Sequence, residues 1–154
     1  MIEMCVRSVK RAEGDRLVAV LEREADACRP SGRLLVTVTR AEAHVLYHEL
    51  RSERTLPGQT YELMADIVSE FKGKLTAVEL VAGEAGKPCA RLRLERSNGR
   101  STVPTRAGQA LALAVHLKVP LLVADALLSG SVPSGEPAEP AVQVPEAFLR
   151  AFDE

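Results

Sequence analysis

The sequence predicts an α+β fold made of two β3-α units, with helices packed on an antiparallel or mixed sheet. Three observations predict it. Apolar residues alternate with polar ones in short runs, change to a helical period, and then do both a second time. The tripeptide Thr-Arg-Ala occurs twice, at Thr39-Arg40-Ala41 and Thr105-Arg106-Ala107, each time where a strand-like run gives way to a helix-like one. Gly, Pro and Asn punctuate the chain between these runs. Together they predict a pseudo-repeat whose two strand-to-helix junctions correspond.

In the first unit, Met4–Val9, Leu17–Glu22 and Leu34–Val38 alternate as strands. Glu13-Gly14-Asp15 and Arg29-Pro30-Ser31-Gly32 supply the turns between them. Thr39 is a suitable N-cap, and a helix follows over Ala41–Arg51 with Ala43, Leu46, Tyr47 and Leu50 on one face. Leu56-Pro57-Gly58 breaks it. Thr60 then caps a second helix, whose apolar face is Leu63, Met64, Ile67, Val68 and Phe71 and whose end is Gly73.

The second unit repeats the order. Leu75–Val81, Cys89–Glu95 and Arg100–Val103 read as strands, turned at Gly83-Glu84-Ala85-Gly86 and Ser97-Asn98-Gly99. Thr105 stands as the N-cap of a helix over Arg106–Leu117. That helix carries Leu and Ala nearly all round and therefore is expected to be buried on more than one side. Pro120–Ala124 reads as a buried strand. Residues 1–128 form one domain in this reading. Residues 129–154 are a Pro/Gly/Ser-rich tail that ends in a short amphipathic helix around Phe148 and Phe152.

Composition narrows the function. With 46% apolar residues in 154, the chain can bury a real core. Aromatics are 3% with no Trp, which argues against a platform that stacks bases on aromatic rings. A net charge of −1 is not that of a strong non-specific DNA binder, so any nucleic-acid contact must come from a local patch. Three cysteines without metal-ligand spacing fit a reduced, cytoplasmic protein. The most apolar stretch, Ala110–Leu128, is interrupted by His116, Lys118, Pro120 and Asp125 and does not read as a membrane span.

Arg106-Ala107-Gly108-Gln109 with the apolar helix after it, followed by Val119-Pro120-Leu121-Leu122-Val123-Ala124-Asp125, resembles the signature of the bifunctional nuclease family. That family's pattern runs Arg-Pro-Ser-Asp-Ala, an apolar helix, a Pro-initiated apolar strand and an Asp. Ala41-Glu42-Ala43 is similar to its Glu-Ala step, and Thr60-Tyr61-Glu62-Leu63 to its Thr-His-Asp-Leu. The resemblance implies the α+β fold and, as in the family's plant members, a nuclease acting on RNA and DNA with a divalent metal, Mg or Mn. Small size, leucine-rich helices and the family's bacterial relatives lead us to expect a homodimer. Arg106, Thr60 and Glu42 match the pattern. Gln109 replaces its acidic residue, Tyr61 its His and Glu62 its Asp, so the catalysis implied is weak or lost while the fold stays.

The site implied is Glu42, Glu62, Arg106 and Gln109, with Glu42 and Glu62 as metal ligands and Arg40 and Arg106 as phosphate contacts. Acidic residues also favour helix starts for dipole reasons alone, and both readings stand at this point. Arg91 and Arg93 alternate with Leu92 and Leu94, which puts both on one side of a strand. They are further phosphate-binding candidates, and a solvated sheet face with cross-strand partners explains them equally well. His44 and His48 share a helical face at metal-pair spacing but lack a third ligand, so a solvated or interface face is expected. His116 reads as a polar edge on a buried helix. The alternative to a nuclease is a non-catalytic binding or regulatory module on the same fold.

Overall fold

The computed structural model describes residues 1–23, 32–52 and 56–129. The first unit contains β1 (Ile2–Arg11), a 3-10 turn at Glu13–Asp15, β2 (Leu17–Glu22), β3 (Arg33–Val38) and α1 (Arg40–Leu50). After α2 (Leu56–Glu70) come β4 (Gly73–Ala82), a 3-10 turn at Glu84–Gly86, β5 (Pro88–Arg96), β6 (Gly99–Arg106) and α3 (Ala107–Leu117). A short β7 (Leu121–Val123) and α4 (Asp125–Ser129) follow. The strand-strand-strand-helix order thus occurs twice, and the fold is α+β. The expected tail beyond Ser129 and the Arg29–Ser31 turn lie outside the described residues.

The seven strands of the described residues form one mixed sheet in the order β3-β2-β1-β7-β4-β5-β6. Within each unit the strands pair as antiparallel neighbours. β7 is the seam between the units, antiparallel to β1 and parallel to β4. It is held at both ends, since Val78 N–H donates to Pro120 O and Ala124 N–H to Leu80 O, both at 2.9 Å. Leu121 and Val123 are buried, which is why three apolar residues after a proline suffice as a central strand.

The core lies on one face of the sheet. Met4, Val6, Val78 and Leu80 point into it from the strands, Val45 and Leu46 from α1, and Ala110, Leu111 and Ala114 from α3. α3 buries Ala107, Gly108, Ala110, Leu111, Ala112, Leu113 and Ala114, as its all-round apolar sequence predicts. Its small residues let neighbouring backbones come close, and Leu111 is 0% exposed, so its truncation to Ala should cost about 2–5 kcal/mol. No helix of the described residues is long and apolar enough to cross a membrane.

Four expectations need correction. α2 begins at Leu56, so Thr60 lies inside it and does not cap it. α1 has already ended at Leu50, and Pro57 sits in the first turn of α2, where its missing N–H loses no helical bond. Thr105 does not cap α3, because β6 stays paired with β5 as far as Arg106, opposite Cys89. Arg106 takes the N-cap place instead, without a side-chain cap bond. Finally, His44 and His48 are buried at 2% and 8%, with ring centroids 4.5 Å apart. Their side of α1 faces the body of the molecule and not solvent.

Candidate functional site

The first Thr-Arg-Ala junction builds a capping box. Thr39 Oγ1 accepts from Glu42 N–H at 3.3 Å, and Glu42 Oε2 accepts from Thr39 N–H at 2.8 Å. The other carboxylate oxygen, Oε1, accepts from Arg106 Nη2 at the second junction, 64 residues away. Glu42 is nearly buried, with its side chain 7% exposed, whereas that of Arg106 is 67% exposed. The guanidinium therefore keeps most of its donors on the solvent side while one is tied to the carboxylate.

This ion pair stands on the wall of an open cleft of about 1010 Å³. β3 and β6 are the opposite edges of the sheet, yet residues of both line it. The twisted sheet brings its edges together at the end where α1 and α3 begin. Thr39, Glu42, Thr105 and Arg106 contribute side chains from the two junctions, and Cys89 adds a thiol from β5.

Two further cations complete the lining, Arg16 and Lys87. Each directly follows one of the 3-10 turns, and the two turns are closed alike. Ala12 N–H donates to Arg16 O at 2.7 Å, and Gly83 N–H donates to Lys87 O at 2.8 Å. Among the described residues, Arg16, Lys87 and Arg106 against Glu42 give the lining two more positive than negative charges. Sequence reading missed both residues. A usable signal was present in Glu13-Gly14-Asp15-Arg16 and Glu84-Ala85-Gly86-Lys87, which share a Glu-x-x-basic pattern before a strand.

Tyr61 shares these surroundings from α2. Its hydroxyl pKa is raised above 10.0 by burial and by the Glu42 charge, with Arg106 opposing. The phenol therefore stays protonated across the physiological range.

The other expected residues are not part of the cleft's lining. Glu62 faces His116, whose Nε2 is 3.4 Å from its Oε1, while His116 Nδ1 pairs with Glu49 Oε1. His116 is a buried link from α3 to α1 and α2, more than the polar edge its sequence suggested. Gln109 is exposed in the first turn of α3 and accepts from the Thr105 hydroxyl at 3.2 Å. Arg40 opens α1 and is exposed.

Arg91 and Arg93 do share one side of β5, and both bind Glu79 of β4, which is 3% exposed. Burial alone would raise the Glu79 pKa, but hydrogen bonds and charge from the two arginines outweigh it and hold it below the usual carboxylate range. The three lie on the sheet face opposite the core-facing Val78 and Leu80. Cys89, at the cleft, precedes Arg91 on that face.

The two carboxylates expected to hold a divalent metal thus have different partners. Both oxygens of Glu42 are already hydrogen-bonded, and Glu62 is turned to His116. Among the described residues no group of three or more His, Cys, Asp or Glu is placed to hold a metal ion. These donors do not fit a dedicated Mg or Mn centre.

A family model described as the bifunctional nuclease domain matches residues 20–133. No curated protein matches the chain.

Proposed function

Since the chain belongs to the bifunctional nuclease domain family, we propose that its cleft holds the sugar–phosphate backbone of RNA or DNA and hydrolyses it only weakly. The observation that carries this reading is the Glu42–Arg106 pair set in a cleft with Arg16 and Lys87. Arg106 keeps free N–H donors for phosphate oxygens, with Arg16 and Lys87 beside it as further charges and the starts of α1 and α3 adding partial positive charge. Among the described residues the lining has no aromatic side chain, so contacts run to the backbone and carry little base preference.

Weak hydrolysis follows from the carboxylates. A water attacking phosphorus needs a base or a metal to activate it. Glu42 spends its oxygens on Thr39 and Arg106, and Gln109 offers an amide where the family pattern has an acid. Binding therefore outweighs hydrolysis at this cleft, and the non-catalytic module is the second reading, favoured by Gln109.

The test pairs binding with cleavage on the same single-stranded RNA and DNA. Fluorescence anisotropy should show binding that weakens with salt and is largely lost in Lys87→Ala with Arg106→Ala, while cleavage stays near background. Absence of binding at low salt would overturn the reading. Fast cleavage that survives Glu42→Gln would show a different site.

A further inference from the structure

The cleft runs along a strand edge. Its lining takes five consecutive positions, Leu35–Thr39, and side chains that alternate between two faces share one cleft only along the edge of their strand. β3 and β6 are the outer strands of the sheet, so along those edges their N–H and C=O groups have no strand neighbour among the described residues. Such an edge accepts an extended chain. The cations gather at one end of it. Arg16 precedes Leu17, which pairs with Val38, and Lys87 stands two residues before Cys89, which pairs with Arg106. Arg16 and Lys87 are both exposed. The last described residues stand at the other end of β3. There α4 packs on β3 and β4, and the methyls of Leu128 lie 3.9 Å from the place a Cβ would take on Gly32, just before Arg33.

We infer that residues 130–140 lie along the edge of β3 and bring Glu136 and Glu139 against Arg16 and Lys87, so that the chain's own carboxylates occupy the cleft. Charge selects this occupant. Residues 130–154 hold Glu136, Glu139, Glu146, Asp153 and Glu154 against one cation, Arg150. The two carboxylates nearest the root match the lining's excess of two positive charges. Length agrees with charge. Pro133, Pro137 and Pro140 favour extended backbone, which gives Glu136 and Glu139 a reach of about 22 and 31 Å from Ser129 at about 3.1 Å per residue. β3 has six residues and is about 20 Å long. Along that path Val132 comes level with Leu35, an apolar side chain left 55% exposed. A tether this short holds the carboxylates at an effective concentration on the order of millimolar, so contacts that are weak singly are made within the chain. The segment then competes with nucleic acid for the cleft, a consequence that, unlike the seating itself, rests on the function proposed above.

A zero-length carbodiimide, which joins carboxylates to amines in contact, tests the seating on the full chain. Peptide mapping should find Lys87 joined to Glu136 or Glu139 at the mass of one chain. The link should vanish in Glu136→Gln with Glu139→Gln, and in about 1 M salt, where the screening length is about 3 Å. The same double variant should bind single-stranded RNA about tenfold more tightly than wild type at low salt, because the tethered competitor is gone. Absence of a link to Lys87 overturns the inference, and so does a link found only at the mass of two chains. A link with equal RNA affinity in wild type and variant overturns the competition. A link with no RNA binding by either protein upholds the seating and overturns the nucleic-acid reading instead.

Discussion

Glu42 and Gly108 stand at the same place after the two Thr-Arg-Ala tripeptides, and the carboxylate of the first fills the space left by the second. A Cβ on Gly108 would collide with Glu42 Oε2 and lie 3.3 Å from Val38 Cγ1. One glutamate therefore serves both junctions. It caps its own helix through Thr39 and crosses to the start of α3, where Arg106 meets it.

Gly108→Ala should therefore destabilise the fold by about 1–3 kcal/mol, as overpacking of a tight site does. In thermal melts that is a drop of about 2–4 °C per kcal/mol for a chain of this size. The cost should shrink when Glu42→Ala is made first, since the colliding group is then gone. An additive double-mutant cycle would mean that the two residues do not share the space.

Salt dependence checks the cleft. Each phosphate neutralised on a single strand contributes about −0.7 to the slope of log affinity against log salt. Arg16→Ala and Lys87→Ala should each flatten the slope by roughly that amount. An unchanged slope in both would place the strand elsewhere, with the Arg91–Arg93 face the next surface to test.

Glu79 gives a pH signature separate from the cleft. Its folded pKa lies below the ordinary 4.5, so the stability it adds is fully present above that value and is lost as pH falls through the folded pKa. Urea midpoints of wild type and Glu79→Gln should differ by a constant amount at neutral pH. The gap should close below about pH 4.5, and a gap that widens in acid would contradict the assigned pairing.

The sequence made the strands legible because β1 to β6 alternate or run apolar between clear turns. It made α3 legible because only a buried helix is Leu and Ala all round. α2 began earlier than expected because a Pro-Gly pair reads locally as a break, whereas a first helical turn accepts proline. The place of Thr105 depends on β6 pairing with β5 up to Arg106, a long-range fact that no local pattern carries. Motif matching brought out Glu42 and Arg106, which do meet. It also suggested Glu62, whose partner is set by the packing of His116 between three helices. Arg16 and Lys87 were invisible as site residues because a curled sheet, and no spacing along the chain, brings their two turns to one cleft.

Gln109→Asp is the sharpest probe of the missing chemistry. Gln109 accepts from the hydroxyl of Thr105, which itself lines the cleft beside Arg106. An aspartate there restores the family's acid beside Thr105 and adds a hard oxygen that a divalent cation can share with a bound phosphate. The helix start should accept it, because a negative charge in a first turn is stabilised by the unpaired N–H groups. Exposure of Gln109 removes any packing penalty. Wild type should therefore cut single-stranded RNA and DNA slowly with little response to Mg²⁺ or Mn²⁺. The variant should gain a metal-dependent rate of about tenfold or more, the size of effect that a supporting carboxylate commonly has on a metal site. Glu42→Gln in the Gln109→Asp background separates the contributions. Loss of the gained rate would place both carboxylates on one reaction, whereas retention would confine Glu42 to its capping and ion-pair duties. If Gln109→Asp binds nucleic acid as wild type does and gains no cleavage, the acidic position is not what the cleft lacks, and the non-catalytic reading stands alone.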